Sequence, residues 1–427
     1  MSPNSLTPDG YLPRIADGQM RSALETMPAV LIEGPRACGK TWTGRRFAAS
    51  ALFLDERVDD VLSAGMDPGG ILFGDAPRLL DEWQLAPRIW NPMRRACDER
   101  AMPGQFILTG SANPPDDITR HTGAGRIIRV RMSPMSLYES GDSSGAISFG
   151  GLMQGDNIPA REETHSLDKV MGLACRGGWP QHIGSNVTVA GRAARAYLSE
   201  ITRTDISRVD GVERNPLKVE KLLISLARNV ATEVRVATLA SDIAASGGNN
   251  HLERRTLARY LNALERLFVL QKVPAWSPHL ASRVQIRQAP KLSLVDPSLT
   301  VAALDATPES LIRDLPFAGR LFESMAIRDL SVYAAAHGAG LSHYRDSVGL
   351  EVDLVINLKA GRWAAVEIKL GGRAGIEQGA RALLRLRDKI DQEVHGPPAR
   401  LIVLTATGYA FERPDGVGVV PITALVP

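Results

Sequence analysis

Residues 34–41 read Gly-Pro-Arg-Ala-Cys-Gly-Lys-Thr, which is the spacing G-x-x-x-x-G-K-[ST]. Glycines in such a loop let backbone N–H groups point at phosphate oxygens, while the lysine reaches the β- and γ-phosphates and the hydroxyl binds Mg²⁺. Lys40 and Thr41 supply these two groups. The pattern predicts a site for ATP and Mg²⁺ built from Gly34, Pro35, Arg36, Ala37, Cys38, Gly39, Lys40, Thr41 and the adjacent Trp42.

A short acidic motif follows the phosphate loop at the sequence separation expected for its partner motif. Residues 78–82 read Arg-Leu-Leu-Asp-Glu. Asp81 is predicted to hold Mg²⁺ through water and Glu82 to polarise the attacking water. The alternative is a solvated acidic turn after a buried strand. Thr109, at the end of the apolar run 106–108, is a candidate sensor of the γ-phosphate, or part of an ordinary strand-to-loop transition.

Arg126 closes a Gly-Ala-Gly-Arg turn. An arginine can stabilise the charge of a phosphoryl transition state, within its own chain or across a subunit boundary. We therefore include Arg126 among the catalytic candidates, although most surface arginines have neither role.

A third set of chemical groups lies near the C-terminus, where Asp353, Glu367 and Lys369 form the pattern D-(13 residues)-E-x-K. Each acid interrupts an apolar run that predicts a strand, at 351–356 and 363–368. Residues two apart on a strand share a face, and charges in a mostly buried strand are costly unless they are paired or bound to metal. Glu323 lies on a predicted helix at 318–336 and is a fourth candidate.

Strands that alternate with helices must position these groups. The chain has 427 residues and a net charge of +3, which allows several domains and permits nucleic acid as a partner. Its apolar runs predict a parallel α/β sheet over 21–135, a helical middle and a second α/β unit. We predict an ATPase core at 1–140, a linker or insertion loop at 141–165, a helical lid and further module at 166–284, and a C-terminal domain at 285–427.

Composition indicates a cytoplasmic protein without a membrane span. The three cysteines are widely spaced, which suits a reducing compartment, and no run of about 18 apolar residues is present.

The helical middle ends in a basic amphipathic segment. Arg254, Arg255 and Arg259 alternate there with apolar residues at helical spacing. In helix-turn-helix proteins such a helix enters the major groove of DNA and its basic residues contact phosphates. The alternative is a helical lid with a solvated basic face.

Several motifs occur in an order that resembles one family. They are Tyr11-Leu12-Pro13-Arg14, the phosphate loop, Leu80-Asp81-Glu82-Trp83-Gln84, Leu108-Thr109-Gly110-Ser111, Pro134-Met135-Ser136-Leu137-x-Glu139 and Gly177-Gly178-Trp179-Pro180. The chain resembles prokaryotic AAA-type P-loop ATPases fused to a C-terminal domain of unknown function. This resemblance implies a winged-helix-like module in the middle of the chain. Cys38, where the family more often has a smaller residue, and the long 140–165 segment depart from the family pattern.

The C-terminal constellation resembles the PD-(D/E)XK nuclease fold of restriction-enzyme-like domains. That resemblance implies that Asp353 and Glu367 bind Mg²⁺ or Mn²⁺, that Lys369 stabilises the charge of the cleaved phosphodiester, and that Glu323 assists. The alternative is a Glu367–Lys369 salt bridge without catalysis.

Together these motifs predict an ATP-hydrolysing protein that acts on nucleic acid, DNA rather than RNA, with metal-dependent nuclease activity and a possible homo-oligomeric assembly. The alternative is an ATP-driven switch or interaction protein whose nuclease-like domain binds without cleaving. One form of this alternative is a toxin or defence component.

Overall fold

The computed structural model describes residues 6–56, 58–111, 123–209, 211–245, 253–278 and 288–427. The chain divides into two compact units, each of mixed α/β structure. Unit 1 comprises Met1–Pro134, Arg203–Arg214 and Asn262–Val269, and unit 2 comprises Met135–Thr202, Asn215–Leu261 and Leu270–Pro427. Among the residues described, no helix is both long and apolar enough to cross a membrane.

Unit 1 contains the predicted parallel sheet. Its strands are β1 (Ala29–Glu33), β2 (Ser50–Phe53), β3 (Arg78–Asp81), β4 (Phe106–Gly110) and β5 (Ile127–Arg131). They are ordered β2-β3-β4-β1-β5, and every neighbouring pair is parallel. Because β3 and β4 lie beside one another and β4 lies beside β1, the residues that follow these three strands meet at one edge of the sheet.

The helices of unit 1 explain why β1 is an unbroken apolar run. They include α1 (Ala16–Thr26), α2 (Lys40–Phe47), α3 (Val58–Met66) and α4 (Trp90–Arg100). Val30 and Ile32 pack with Met20, whereas Leu31 packs in a separate cluster with Trp90. Both faces of the strand are therefore buried, as parallel sheets require.

The segment from residue 149 to residue 313 is mainly helical. Its helices are α5 (Phe149–Gln154), α6 (Leu167–Arg176), α7 (Val187–Glu200), α8 (Ile206–Arg208), α9 (Pro216–Arg228), α10 (Val236–Ala245), α11 (Arg254–Arg266), α12 (Pro297–Ala303) and α13 (Pro308–Arg313). Of these, α8 belongs to unit 1, and α11 has residues 254–261 in unit 2 and residues 262–266 in unit 1. The strands β8 (Thr232–Glu233), β9 (Leu270–Val273) and β10 (Lys291–Leu294) form an antiparallel sheet in the order β8-β10-β9.

A larger mixed sheet completes unit 2. Its strands are β7 (Arg161–Glu163), β11 (Gly340–Arg345), β12 (Glu351–Asn357), β13 (Trp363–Lys369), β14 (Leu401–Thr405), β15 (Gly408–Glu412) and β16 (Val417–Pro421). Their order is β11-β12-β13-β14-β16-β15-β7. The accompanying helices are α14 (Leu315–Ala336), α15 (Gly372–Lys389) and α16 (Gln392–His395).

Residues 141–165, predicted as a linker or insertion loop, contain regular secondary structure. They contribute β6 (Ile147–Ser148), which pairs with β17 (Leu425–Val426), and also α5 and β7, which pairs with β15. Ser143 Oγ additionally donates to the carbonyl of Leu425 over 2.6 Å. Strands of two or three residues are too short to show a periodic pattern in the sequence. The prediction of a loop therefore followed from the glycine- and serine-rich composition.

A buried ionic network in unit 2 explains two of the sequence motifs. The Arg328 guanidinium bonds Asp296 at 3.0 Å and Asp329 at 2.7 Å. Asp296 also accepts from the N–H of Gly178, and Asp329 accepts from the N–H of Leu137. The Gly-Gly-Trp-Pro and Pro-Met-Ser-Leu motifs are therefore held by backbone bonds to buried acids, which satisfy groups that would otherwise be costly to bury.

Candidate functional site

The phosphate loop has the backbone geometry that its glycines predict. Gly39 has φ +103°, a left-handed conformation, immediately before α2. A Cβ on Gly34 would lie 2.2 Å from the carbonyl oxygen of Met132, so a larger residue would displace the backbone. The buried Lys40 ammonium donates to the carbonyl of Pro35 over 2.8 Å. The cation is thus held at the loop by a neutral acceptor.

Arg14 contacts the phosphate loop through hydrogen bonds. It was not predicted from the sequence to be a site residue. Its guanidinium donates to the carbonyl of Cys38 over 2.6 Å and to that of Ser133 over 2.8 Å, and the residue is buried. The Tyr11-Leu12-Pro13-Arg14 motif was the available signal. Arg36, which is part of the loop, forms an ion pair with Asp205 at 2.6 Å.

Asp81 lies beside the hydroxyl groups predicted to share its function. Thr41 Oγ1 donates to Oδ2 over 3.1 Å, and Thr109 Oγ1 donates to Oδ1 over 2.5 Å. Burial raises the pKa of Asp81 to about 6, although the Thr109 hydrogen bond opposes this. Oxygen donors of this kind suit Mg²⁺, which also keeps water and phosphate ligands. The Thr41 and Asp81 side chains therefore fit the predicted Mg²⁺ site. Thr109, predicted to sense the γ-phosphate, donates a hydrogen bond to Asp81.

Glu82 follows in a left-handed conformation, with φ +52°. Its carboxylate accepts from Ser111 Oγ over 3.0 Å and also from Gln84 Nε2. Its own N–H donates to Thr109 Oγ1 over 3.1 Å. Two polar side chains, Ser111 and Gln84, thus fix the Glu82 carboxylate directly after β3.

Two further candidates of unit 1 are Trp42 and Arg126. Trp42 follows Thr41 on α2 and is 44% exposed. Arg126 precedes β5, whose first residue pairs with Ala29, the residue of β1 farthest from the phosphate loop. It bonds Asp98 at 2.7 Å. Arg126 therefore lies at the end of the sheet opposite the phosphate loop, because it precedes the first residue of a parallel strand, and its catalytic role stays a prediction.

The C-terminal candidates do come together in unit 2. α14 carries Glu323, β12 carries Asp353, and β13 carries Glu367 and Lys369. β12 and β13 pair antiparallel, and the N–H of Asp353 donates to Glu367 Oε1 over 3.2 Å. Lys369 Nζ lies 2.5 Å from Glu367 Oε2 and 3.2 Å from Asp353 Oδ2. We call these four residues and Lys291, which is described in the next paragraph, the carboxylate cluster.

Lys291, the first residue of β10, is the member that the sequence did not reveal. Its ammonium lies 2.5 Å from Glu323 Oε1 and 3.4 Å from Asp353 Oδ1. Only 11% of the Lys291 side chain is exposed. A lone lysine opening a short strand gives no signal, because its partner Asp353 is 62 residues away in the chain.

The acids of the cluster respond differently to this environment. Burial and the Asp353 charge raise the pKa of Glu323 to about 7 and that of Glu367 to about 8. Burial would also raise the pKa of Asp353, but Lys291 and Lys369 outweigh it and lower that pKa. Burial would lower the pKa of Lys291, yet Glu323 and Asp353 raise it, so this lysine stays charged at neutral pH.

This arrangement does not fit the metal predicted for Asp353 and Glu367. No three acidic, histidine or cysteine groups in the described part of the chain are placed to hold a metal ion. Each carboxylate of the cluster already contacts an ammonium group. The prediction that Asp353 and Glu367 are metal ligands is corrected accordingly: the lysines occupy the position where the cation was expected.

Three family models match successive parts of the chain. Residues 26–140 match the AAA domain, residues 167–310 match a domain of unknown function (DUF8612), and residues 318–425 match another domain of unknown function (DUF4143). The AAA match contains the phosphate loop, Asp81 and Glu82, so unit 1 carries an AAA-type ATPase domain.

Similar whole proteins are also known. The uncharacterized proteins Mb2031c of Mycobacterium bovis and Rv2008c of Mycobacterium tuberculosis are each 25% identical over 413 residues, covering 96% of this chain and 83% of theirs. Among solved structures, the Walker-type ATPase PABY2304 of Pyrococcus abyssi gives a TM-score of 0.43 at 13% identity, covering 71% of this chain and 99% of that one. The ORC2 protein of Aeropyrum pernix gives 0.31 at 12% identity, covering 74% and 99%.

Proposed function

We propose that this protein is an ATP-driven switch that acts on nucleic acid. The observation that carries the proposal is the Asp81 carboxylate, bonded to the hydroxyls of Thr41 and Thr109 and followed by the oriented Glu82. In that role the loop N–H groups bind the phosphates, and Lys40 exchanges the Pro35 carbonyl for phosphate oxygens. Thr41 and Asp81 would hold Mg²⁺, which would supply positive charge to the phosphates when bound, and Glu82 orients the attacking water.

Two variants of unit 1 test ATP turnover. Lys40→Ala should lower turnover on the order of 100-fold or more, because the transferred phosphoryl loses its fixed cation. Glu82→Gln should retain binding of a fluorescent ATP analogue while turnover falls by a similar factor, because the amide no longer accepts a proton. Lys272→Ala, at an exposed lysine, is the control. Turnover retained in either site variant refutes the assigned role.

The nucleic-acid part of the proposal rests on the middle of the chain. The element order α9-β8-α10-α11-β9-β10 and the sheet order β8-β10-β9 support the winged-helix-like module that the family resemblance implies. Its third helix corresponds to the one that enters the major groove of DNA in helix-turn-helix proteins. Arg254, Arg255 and Arg259 are all exposed on that helix. These features support binding to duplex DNA and also fit a lid with a solvated basic face.

Salt-dependent DNA binding distinguishes these alternatives. Arg254→Ala with Arg255→Ala should weaken duplex binding at least about tenfold and reduce the salt slope by about 2, since each lost phosphate contact releases one counterion fewer. Arg192→Ala with Arg195→Ala, two exposed arginines on α7, is the matched control. An equal loss in both double variants contradicts a specific surface, and tighter binding to RNA than to DNA contradicts the preference for DNA.

We propose that the C-terminal core takes part without cutting, because the carboxylate cluster is neutralised by its own lysines. Incubation of the whole chain with circular DNA, linear DNA and RNA in Mg²⁺ or Mn²⁺ tests this. We expect no cleavage beyond that of Glu367→Ala with Lys369→Ala. Cleavage that disappears in this double variant restores the nuclease hypothesis.

A further inference from the structure

Arg14 joins two backbone carbonyls at the phosphate loop. Its guanidinium donates to the carbonyl oxygen of Cys38 over 2.6 Å and to that of Ser133 over 2.8 Å. Arg14 is only 7% exposed, so these bonds form away from bulk water. A guanidinium presents its donors in a rigid plane, and two carbonyls that it binds are held in a fixed relative geometry. Arg14 thus fixes the direction of the Cys38 carbonyl.

The direction of this carbonyl also determines the direction of the next N–H group. The peptide between Cys38 and Gly39 is planar, and in a trans peptide the C=O and N–H bonds point to opposite sides. Because the Cys38 carbonyl points to Arg14, the N–H of Gly39 points away from it. In a loop of this sequence pattern the phosphates lie on the side to which the N–H groups point.

The backbone on either side of Cys38 is left-handed. Ala37 has φ +59° and Gly39 has φ +103°. Alanine rarely adopts this conformation, because its Cβ then lies too close to the backbone, and it persists only where surrounding contacts hold it. Left-handed residues in a turn bring successive N–H groups to one side, where they form a concave anion site. The bond from Arg14 to Cys38 is a contact that holds this shape.

Arg14 is itself fixed to α2, the helix that begins within the loop. The N–H of Arg14 donates to Asp17 Oδ2 over 3.2 Å, and the Tyr11 hydroxyl donates to Asp17 Oδ1 over 2.6 Å. The same hydroxyl lies 3.0 Å from Oγ1 of Thr43, a fully buried residue in the first turn of α2. The guanidinium therefore has a defined position relative to the loop.

We propose that Arg14 is a positioning residue for nucleotide binding, which acts through the Cys38 carbonyl to turn the N–H of Gly39 toward a phosphate group of ATP or ADP. This role rests on the nucleotide binding that the proposed function assigns to the loop. Arg14 does not touch the phosphate in this role. A backbone bond to phosphate that is equally strong in the ground state and the transition state contributes to KM and not to kcat.

One peptide signal reports this arrangement directly. Cys38 is the only one of the three cysteines that glycine follows. A deuterated chain with ¹³C in the cysteine carbonyls and ¹⁵N in glycine therefore gives a single carbonyl-correlated amide signal in the NMR spectrum, that of Cys38–Gly39. In the wild type, ADP should move the Gly39 amide proton downfield, as a hydrogen bond to phosphate requires.

The variant Arg14→Met should change both halves of this signal. Without nucleotide, the Cys38 carbonyl carbon should shift upfield, because its hydrogen bond to the guanidinium is lost. With saturating ADP, the Gly39 amide proton should move downfield less than in the wild type, because its direction is no longer fixed.

Binding and turnover measure the same effect in energy. Arg14→Met should bind a fluorescent ADP analogue about tenfold more weakly and raise KM for ATP by a similar factor, since one charge-assisted hydrogen bond to phosphate is weakened or lost. The kcat should stay within about threefold. Arg14→Lys keeps a cation that can reach one carbonyl, and it should recover part of the affinity.

The matched control is Arg45→Met. Arg45 lies on α2 and donates to the carbonyl of Leu6 over 3.1 Å. It is thus an arginine of the same unit that also bonds a backbone carbonyl, but one outside the loop. Its loss should change KM for ATP by less than about twofold and should leave the Gly39 signal of the ADP complex unchanged.

The outcomes distinguish a failure of this role from a failure of the proposed function. A wild-type chain that binds neither ATP nor ADP refutes both. Wild-type binding without a downfield movement of the Gly39 amide proton overturns the role of Arg14 alone, and needs no variant. Equal KM values and equal Gly39 signals in the wild type and in Arg14→Met do the same. If Arg14→Met does not fold, Arg14→Lys decides, since an ammonium cannot hold both carbonyls in the guanidinium geometry: an unchanged KM and an unchanged signal overturn the proposal.

Discussion

Asp81 in unit 1 is buried and Asp353 in unit 2 is half-buried, and both lie beside a lysine-containing motif, yet their surroundings differ in kind. Asp81 accepts hydrogen bonds from two threonine hydroxyls, while Lys40 bonds a backbone carbonyl. Asp353 contacts two lysines directly. Burial accordingly raises the pKa of Asp81 to about 6, whereas Lys291 and Lys369 overcome burial and lower the pKa of Asp353.

The difference shows which site depends on a ligand for its charge balance. Hydroxyl groups stabilise a carboxylate without neutralising it, so the nucleotide site gains most from an external cation. The carboxylate cluster carries its own cations, so an external one must compete with Lys291. Similar acidic motifs thus lead to opposite expectations once the position of every lysine is known.

The largest effect should follow from breaking the self-neutralised site. Asp353→Asn leaves the ammonium groups of Lys291 and Lys369 with fewer negative partners, and the free energy of unfolding should fall by about 3–5 kcal/mol. Urea denaturation measures it. Asp305→Asn, at a side chain that is 88% exposed, should change it by less than about 0.5 kcal/mol. A loss under about 1 kcal/mol for Asp353→Asn would contradict the buried pairing.

The same substitution at Asp81 should act on binding instead. Asp81→Asn should weaken Mg²⁺–ATP binding about 100-fold, or about 2.8 kcal/mol, because the carboxylate that faces the metal is lost. A fluorescent ATP analogue titrated with Mg²⁺ and with EDTA measures the effect. If affinity drops equally in EDTA, Asp81 does not act through the metal, and the contrast with Asp353 disappears.

A pH series should sharpen the contrast within the cluster. The pKa of Glu367 is about 8 in the folded chain, above its ordinary value of 4.5, so the folded state binds more protons and stability falls as pH rises between these values. Glu367→Gln mimics the protonated acid and should flatten that decline, so that the variant becomes more stable than the wild type at pH 8.5. Chemical denaturation across pH 4.5–8.5 checks it.

The control for this series is Glu351→Gln, at a side chain that is 57% exposed. It should leave the pH profile of the wild type unchanged. A steeper decline in Glu367→Gln than in the wild type would mean that another acid holds the proton.

The smallest effect is expected at Arg126, whose ion pair with Asp98 is largely exposed. Arg126→Ala should change the free energy of unfolding by less than about 1 kcal/mol, as for other surface pairs, and should leave ATP turnover within about twofold. This small change in the free energy of unfolding is the reference for the larger change expected when a buried lysine pair is broken. A turnover loss above about tenfold would instead indicate that Arg126 acts on a neighbouring subunit.

The sequence predicted the elements that are defined by local patterns. β1, β3, β12 and β13 were predicted within a residue or two, because continuous apolar runs bounded by polar residues determine them. The convergence of Asp353, Glu367 and Lys369 was also predicted, since it needs only two adjacent strands. Arg14 and Lys291 were missed as site residues because their partners lie far away in the chain, and no periodicity records a contact between distant segments.

The pairing of β7 with β15 bears on how this protein can be dissected. A fragment limited to residues 318–425, the extent of the second domain of unknown function, would lose β7 and leave residues 408–410 of β15 unpaired. An uncovered edge of this kind invites intermolecular strand addition and aggregation. The fragment would also lack Lys291, which contacts Glu323 and Asp353 in the intact chain. Insolubility seen in such a fragment would therefore reflect the site of cutting and not the native protein.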